Sequence, residues 1–295
     1  MLHCKIYVKI YALEIYLYKY KKMKIFCLSI YNENYELFKK FGLDPVGLGS
    51  QNFDNKWLKD KGLNNISDKN KNFGEYTFHY YLWKNKINKE IYNDWIGFCT
   101  YRRFWIKKNF LEPKNIDNLE EAIIRKPDSS WEGYDVILVE PLVINKVKNI
   151  KLIKRNLIEV LKKPSVLFSK TSLRDQFNIF HGSYYLKEAI KLLKENDRSP
   201  FSDFLDGYSY NAFNMFICKN SSILNKFYEE IFQWLFKCEE IFQKEELKGY
   251  DKIRIYGFLA ERYMPYWFKK NFKTLAWPIA FFDTHKLFSR EKQNL

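Results

Sequence analysis

Short apolar runs alternate with longer amphipathic stretches from Met23 onward. Four of the apolar runs predict buried strands: 25–30, 95–100, 135–139 and 215–218. Five stretches have the apolar spacing of helices: 72–85, 150–161, 183–195, 223–242 and 256–269. Strands separated by helices of ten or more residues imply a sheet with crossover connections. The pattern therefore predicts an α/β fold, a Rossmann-like mixed sheet flanked by helices in a single domain.

The longest predicted helix, 223–242, carries one apolar stripe. The stripe consists of Phe227, Ile231, Trp234, Leu235, Cys238 and Ile241. A continuous stripe of this width on one side of a helix usually packs into the core. We therefore expect this helix to cover one face of the sheet.

Residues 1–22 differ from the rest, because charged residues such as Lys5, Lys9 and Glu14 interrupt an aromatic and apolar run. This segment is either an amphipathic anchor at a membrane surface or the product of a start codon assigned too early. The strand-like run directly after Met23 favours the second interpretation. We treat 1–22 as an N-terminal extension and 23–295 as the domain. Neither a membrane-spanning stretch nor a clear signal peptide is found, so we expect a cytoplasmic protein.

Composition and charge narrow the class of partner. Hydrophobic residues make up 46% of the chain, which excludes a wholly disordered protein. The formal net charge of +15 attracts polyanions such as nucleic acid, anionic lipid or nucleotide diphosphates. The lysines are scattered, so charge alone does not choose among these. The five cysteines form no C-x-x-C pair, which argues against a zinc site or a disulfide framework.

Several common catalytic motifs are absent. The sequence contains no G-x-G-x-x-G, Walker, G-x-S-x-G or H-E-x-x-H motif. The sequence therefore offers no motif that would support a kinase, a Rossmann dehydrogenase, a serine hydrolase or a zinc protease.

The first segment with candidate chemistry lies within the predicted helix 72–85. Glu75, His79 and Trp83 follow one another at steps of four residues, which places them on one helical face. A carboxylate, an imidazole and an indole on one face can grip a hydroxylated ligand. The alternative is that Trp83 packs inward while Glu75 caps or pairs locally.

The second segment follows the predicted strand 95–100. Tyr101, Arg102 and Arg103 stand at its carboxyl end, where open α/β sheets bind their ligands. Arginine matches phosphate oxygens in a bidentate way, and a tyrosine ring can stack on a base or a sugar. The alternative is that the arginines face opposite sides and one merely forms a surface ion pair.

The third region comprises Asn211 and Asn214 before an apolar run, and Arg254 and Glu261 farther along. The two asparagine amides can hydrogen-bond sugar hydroxyls through both faces. For Arg254 and Glu261, an internal pair that clamps the fold is as good an interpretation as catalysis.

Taken together, these segments resemble the DUF4422 family of bacterial polysaccharide-biosynthesis proteins. The matching positions are Ile66, Ser67 and Asn70; Glu75, Thr77, Tyr80, Trp83, Lys84 and Asn85; the block from Asp94 to Phe104; Tyr134 to Leu138; Asn214 to Ile217; Trp234 to Phe236; and Arg254, Gly257, Glu261 and Arg262. The sequence departs from the family pattern at Thr100, where the family usually has His, at Tyr76 in place of Leu, and at Gly74 in place of Cys.

The resemblance implies a GT-A-like glycosyltransferase that moves a sugar from a nucleotide-sugar donor to a capsular, lipooligosaccharide or other surface polysaccharide. On this basis Tyr101, Arg102 and Arg103 are expected to bind the donor diphosphate. Glu75 is the first candidate for the catalytic base, followed by Glu261 and Asp206. The residues expected to bind the sugar or the acceptor are His79, Trp83, His181, Asn211, Asn214 and Arg254. His181 resembles a family histidine, although a lone histidine is more often structural.

No convincing Asp-x-Asp metal clamp is present, because Asp203 and Asp206 have the wrong spacing. We assign no metal ligand, and a divalent metal (Mn²⁺ or Mg²⁺) remains an alternative. The expected partners are the sugar nucleotide and a lipid-linked or polysaccharide acceptor, met at the inner membrane surface. Two other functions compete: a basic nucleic-acid-binding protein, and a non-catalytic glycan-binding or scaffold protein of capsule assembly.

Overall fold

The computed structural model of the protein describes residues 22–87, 94–110, 112–144, 171–243 and 247–286. The N-terminal extension, apart from Lys22, and the predicted helix 150–161 lie outside these residues. Within them, the predicted fold class is confirmed: a mixed α/β sheet is flanked by helices.

The strands of the described residues are β1 (Met23–Ser29), β2 (Asp44–Gly47), β3 (Leu58–Lys59), β4 (Trp95–Thr100), β5 (Arg103–Trp105), β6 (Val136–Val139), β7 (Leu142–Val143), β8 (Ser209–Tyr210), β9 (Phe216–Cys218), β10 (Thr274–Trp277) and β11 (Ile279–Phe281). All four strands predicted from the sequence are present, as β1, β4, β6 and β9, with ends that differ by two residues or fewer.

The α-helices are α1 (Tyr35–Lys40), α2 (Asn70–Phe73), α3 (Tyr76–Leu82), α4 (Ile116–Ala122), α5 (Leu173–His181), α6 (Ser183–Lys191), α7 (Glu195–Leu205), α8 (Ser221–Phe242), α9 (Tyr250–Ile253) and α10 (Ile255–Asn271). A π-helical turn, Trp83–Ile87, extends α3. Asn220 caps the start of α8, because its side chain accepts a hydrogen bond from the backbone N–H of Ile223.

The main sheet has the central order β10-β6-β9-β4-β1-β2-β3, and β5 joins β4 to β11. Strand β1 is parallel to both of its neighbours, β2 and β4. Strand β9 is antiparallel to β4 and β6. From β1 the chain moves outward to β2 and β3 and then returns to the other side of β1 as β4. Such a reversal opens a crevice at the carboxyl ends of the two strands.

Both faces of the sheet are buried. In β1, Ile25 and Cys27 belong to one hydrophobic core, whereas Phe26 and Leu28 belong to the other. Because successive side chains of a strand point to opposite faces, a strand covered on both sides has a continuous apolar sequence. This explains why the strands were predictable as unbroken apolar runs. The predicted stripe of α8 lies in the core, with Ile241 packed at its edge.

The predicted helix 72–85 is interrupted, and this corrects the sequence interpretation. Helix α2 ends at Phe73, Gly74 has φ +59°, and α3 begins at Tyr76. A positive φ of this kind is readily adopted only by glycine and cannot continue a right-handed helix. Glu75 therefore precedes α3 at its first turn, and it does not share one regular helix with the residues before Gly74.

Candidate functional site

A cleft of about 480 Å³ lies at the carboxyl ends of β1 and β4. The strand side of the cleft includes Leu28, Thr100 and the Tyr101–Arg103 segment, and the helix side includes Glu75 and Glu261. Small-molecule sites commonly enclose roughly 300–1,000 Å³. The cleft therefore has the size and the position of a ligand site in an open α/β sheet.

The predicted Tyr-Arg-Arg segment lies in this cleft. Tyr101 and Arg102 form the two-residue turn between β4 and β5, and Thr100 pairs with Arg103 across it. The guanidinium carbon of Arg102 lies 5.4 Å from the centre of the Tyr101 ring. That of Arg103 lies 4.0 Å from the centre of the Phe213 ring and 5.5 Å from that of Phe281. Aromatic faces thus hold both arginines by cation–π contacts.

Both guanidinium groups line the same cleft. Burial is the main cause that lowers the pKa of Arg103 from its ordinary value, and the positive charge of Arg102 lowers it further. An arginine remains protonated despite such a shift. Within the described residues neither Arg102 nor Arg103 forms an ion pair with a carboxylate. The carboxylates of Glu261 and Glu75 partly offset the charge of Arg103. Two guanidinium groups without an ion pair at one edge of a cleft still favour the binding of an anion.

Glu75 faces the same cleft and is held at both carboxylate oxygens. Its Oε1 accepts a hydrogen bond of 2.7 Å from Nδ2 of Asn214, and its Oε2 accepts one of 3.2 Å from Nη2 of Arg254. A Cβ atom at Gly74 would collide with the Arg254 guanidinium. The glycine therefore serves twice, by providing the positive φ and by leaving room for the arginine.

Glu261 is the second carboxylate of the cleft. Its Oε1 accepts a hydrogen bond of 2.8 Å from the backbone N–H of Phe213, and its Oε2 is paired with Arg262. Arg262 is only 4% exposed and also donates to Gln176 at 3.0 Å. The interpretation of Arg254 and Glu261 as one internal pair is thus wrong, because Arg254 pairs with Glu75 and Glu261 pairs with Arg262.

Both carboxylates depend on the turn formed by Phe213 and Asn214. These residues have φ values of +77° and +51°. Left-handed backbone is costly for a phenylalanine, and such strain persists only where surrounding contacts hold it. Here the Phe213 N–H binds Glu261, the Phe213 ring covers Arg103, and the Asn214 amide binds Glu75. One strained turn therefore organises three charged groups of the cleft.

His79 lies in the core and not in the cleft, which corrects the prediction that it contacts a ligand. Its side chain is fully buried, and Nδ1 lies 2.8 Å from the hydroxyl of Tyr228. Its ring packs 4.2 Å from that of Phe98 in β4. Burial lowers the pKa of His79 to about 3, so the imidazole is neutral.

Trp83 is also part of the core. Its Nε1 donates a hydrogen bond of 2.8 Å to Oδ1 of Asn225, and its ring stacks on Phe232. The predicted common face of Glu75, His79 and Trp83 is therefore wrong as a binding surface. Glu75 faces the cleft from the start of α3, whereas His79 and Trp83 pack between α3, α8 and the sheet.

Three further candidates lie outside the cleft lining. Asn211 is buried and donates a 2.5 Å hydrogen bond to the carbonyl of Val139. His181 is buried, with Nδ1 2.7 Å from the carbonyl of Asp251, and it stacks behind Phe258, which does line the cleft. Asp206 is exposed at the surface and paired with Arg174. Their placement supports structural roles for Asn211 and His181 and removes Asp206 as a candidate base.

The sequence analysis missed several residues of the cleft. Asn70 lines it from α2 and Gly74 from the position just after that helix, and Tyr250 and Phe258 line it from α9 and α10. Asn70 and Gly74 stand beside predicted site residues in the sequence, which was the available signal. Tyr250, which is 64% exposed, had no such signal.

In the ranges given above, no three His, Cys, Asp or Glu side chains cluster in a way that would hold a metal ion. Among the helices of those ranges, none has the length and hydrophobicity needed to cross a membrane.

The chain is similar to a known protein family and to a solved structure. The family model described as a domain of unknown function, DUF4422, matches residues 27–272. No curated protein matches the sequence. The fold is similar to the apo structure of the bifunctional glycosyltransferase WbbM, with a TM-score of 0.64 at 19% identity. The match covers 89% of this chain but 46% of that one, so this chain spans about half the length of WbbM. At this identity the similarity shows the fold alone.

Proposed function

The chain belongs to the DUF4422 family, and on this premise we propose that it is a glycosyltransferase that uses a nucleotide-sugar donor. One observation carries the proposal: Arg102 and Arg103, which form no ion pair within the described residues, share a cleft with the anchored carboxylate of Glu75. Inverting transfer of a sugar from a nucleoside diphosphate needs a cradle for the diphosphate and a group that deprotonates the acceptor. The cleft offers one candidate for each.

The proposed role of Arg102 and Arg103 is to bind the diphosphate of the donor. Negative charge grows on the diphosphate as its bond to the anomeric carbon breaks. Positive groups that are already in place stabilise that charge without reorganisation. The contacts of Arg103 with Phe213 and Phe281 support this role, because they fix the guanidinium before a ligand arrives. Tyr101 is placed to cover the same part of the donor.

The proposed role of Glu75 is that of catalytic base in an inverting transfer. Its carboxylate takes the proton from the acceptor hydroxyl as that oxygen bonds to the anomeric carbon, and the nucleoside diphosphate departs. General bases of this kind contribute about 10²–10⁴-fold to a rate. Arg254 and Asn214 orient the carboxylate, and both line the cleft, where they can also contact sugar hydroxyls. Glu261 is a weaker candidate, because it neutralises the nearly fully buried Arg262 at 2.5 Å, whereas the pair of Glu75 with Arg254 is longer, 3.2 Å, and more exposed.

We also propose that the acceptor is a lipid-linked or surface polysaccharide, such as a capsular or lipooligosaccharide chain, and that transfer takes place at the inner membrane surface. The net charge of +15 supports this location, because anionic headgroups attract a cationic protein. Binding to vesicles with and without anionic lipid, measured by co-sedimentation, tests this part separately.

The donor proposal is tested by thermal-shift measurements with UDP-, GDP-, CMP- and dTDP-sugars. A ligand that binds the folded state raises its melting temperature by mass action, so we expect one nucleotide class to give a selective shift. Arg102→Ala and Arg103→Ala should remove the shift and turnover while the proteins remain folded. Arg125→Ala is the matched control, because this arginine binds backbone carbonyls near α1, away from the cleft lining.

Two results would refute the proposal. One is unchanged turnover in both cleft variants. The other is a wild-type protein that binds no sugar nucleotide and instead binds RNA with a steep salt dependence, which would favour the nucleic-acid function. Donor binding without turnover of any acceptor would favour the scaffold function. Assays with EDTA, and with added Mn²⁺ or Mg²⁺, establish whether a divalent metal takes part.

A further inference from the structure

The turn that carries Tyr101 and Arg102 is bound along its outer side by the C-terminal part of the chain. Strand β11 pairs with β5 so that Phe281 lies opposite Arg103. Past β11, the backbone N–H of Phe282 donates a 3.0 Å hydrogen bond to the carbonyl of Arg102. The hydroxyl of Thr284 then donates a 2.6 Å hydrogen bond to the carbonyl of Tyr101. Each residue of the Tyr-Arg-Arg segment thus has a partner among residues 281–284.

The local conformation of the turn explains why these contacts matter. Two-residue hairpin loops are most stable as type I′ or II′ turns, which need a positive φ at one or both loop residues. Neither Tyr101 nor Arg102 is among the residues with positive φ. The turn therefore lacks the backbone geometry that closes such a hairpin by itself. Hydrogen bonds from outside the hairpin compensate for this.

Thr284 is the best placed of these partners. It is fully buried, and its hydroxyl accepts a 3.1 Å hydrogen bond from Nδ2 of Asn34 while it donates to Tyr101. Asn34 is itself fully buried at the start of α1. A buried hydroxyl with one partner on each side has a single orientation that satisfies both. Thr284 therefore fixes the Tyr101 carbonyl relative to α1 and the sheet.

We propose that Phe281 and Thr284 are positioning residues that hold Arg102 and Arg103 in the geometry needed to bind a diphosphate. This inference rests on the proposed function, because the proposed function is what assigns diphosphate binding to Arg102 and Arg103. It adds a segment, residues 281–284, that lies beyond the region 27–272 matched by the family model. In this chain the diphosphate site is complete only when that segment is docked.

The test compares Thr284→Val with Thr284→Ser. Valine keeps the volume and removes the hydroxyl, whereas serine keeps the hydroxyl. We measure the dissociation constants of UDP, GDP, CDP and dTDP by calorimetry, together with the donor and acceptor KM values. For the nucleotide that the wild type binds, Thr284→Val should weaken affinity about tenfold, the effect of one lost hydrogen bond to the turn. Thr284→Ser should bind that nucleotide with the affinity of the wild type. The acceptor KM should not change in either variant.

Thr171→Val serves as a control, and Phe281→Leu is a second test of the proposal. Thr171→Val alters another buried threonine, whose hydroxyl has no partner in the described residues, and it should leave nucleotide affinity unchanged. Phe281→Leu changes a side chain that is 52% exposed, so folding should survive, and it should also weaken nucleotide binding. If both Thr284→Val and Phe281→Leu bind the nucleotide as tightly as the wild type, the positioning role is overturned and the proposed function stands. If the wild type binds no nucleoside diphosphate, both are overturned.

Discussion

Replacing Glu75 with glutamine separates the chemical role of this residue from its structural role. Glutamine keeps the shape, and its carbonyl can still accept the hydrogen bond from Asn214. Its amide nitrogen would face the Nη2 donor of Arg254, so that hydrogen bond is lost. The side chains of Arg254 and Glu75 are 28% and 21% exposed, and solvent therefore weakens the pair. We expect a loss of about 1 kcal/mol in the free energy of unfolding.

The loss of turnover should be far larger than this loss of stability. Without a base, the rate of transfer should fall about 10²–10⁴-fold at saturating donor. The dissociation constant of the donor should change little, because the arginines remain. The assay is release of nucleoside diphosphate with donor and acceptor present, beside urea unfolding. Turnover within tenfold of the wild type would refute the role of Glu75 as the base, and a donor affinity that fell in parallel with turnover would assign Glu75 to donor binding.

Glu261→Gln is the matched control for this experiment. Its carboxylate neutralises Arg262, which is nearly fully buried. Removing one partner of a buried ion pair costs about 3–5 kcal/mol, because the other charge is left uncompensated. The control should therefore reduce stability more than Glu75→Gln and turnover less. If Glu261→Gln instead reduced turnover more and stability less than Glu75→Gln, Glu261 would be the base and Glu75 the structural residue.

Two other predictions concern residues that the structure removes from the cleft. The pKa of His79 is about 3 in the folded protein and about 6.5 when unfolded, so the unfolded state binds the extra proton between these values. The free energy of unfolding should be fully retained above pH 6.5, and below that pH it should fall by up to about 1.4 kcal/mol per pH unit. Urea unfolding from pH 5 to 7 should show this slope, and His79→Phe should flatten it. Equal slopes in the wild type and the variant would contradict the assignment. Asp206→Asn should leave turnover unchanged and cost less than about 1 kcal/mol, because its pair with Arg174 is exposed; a large loss of turnover would return Asp206 to the list of catalytic candidates.

The sequence was sufficient to locate the arginine pair. The unbroken apolar run before Tyr101 identified a strand buried on both faces, and ligands of open α/β sheets bind at the carboxyl ends of such strands. The rule needs no knowledge of distant contacts. The four predicted strands and the buried stripe of α8 also depend on local sequence alone, and the structure confirms them.

The common face of Glu75, His79 and Trp83 was wrong for a local reason. Helical spacing places residues at steps of four on one side, but it does not say which side faces the sheet. The break at Gly74 puts Glu75 at the start of α3, beside the cleft. The next turn of α3 is covered by α8, so His79 and Trp83 point into the core. A glycine within a helical pattern signalled the break, but not its effect on Glu75.

Other parts of the site depend on contacts between residues far apart in the chain. The left-handed φ of Asn214 had no clear signal, although asparagine tolerates that conformation better than most residues. The pairing of Arg254 with Glu75 joins residues 179 positions apart. Local patterns carry no information on which of several carboxylates a given arginine will reach.

The long separations within the cleft also determine when it can appear during synthesis. Asn214 reaches back 139 residues to Glu75, and Thr284 reaches back 183 residues to Tyr101. Strand β4 lies between β1, which is made before it, and β9, which is made more than a hundred residues after it. Such distant pairings form late, because the intervening chain must be ordered first. The cleft can therefore be complete only after Thr284 has been synthesised and its hydroxyl has reached the Tyr101 carbonyl.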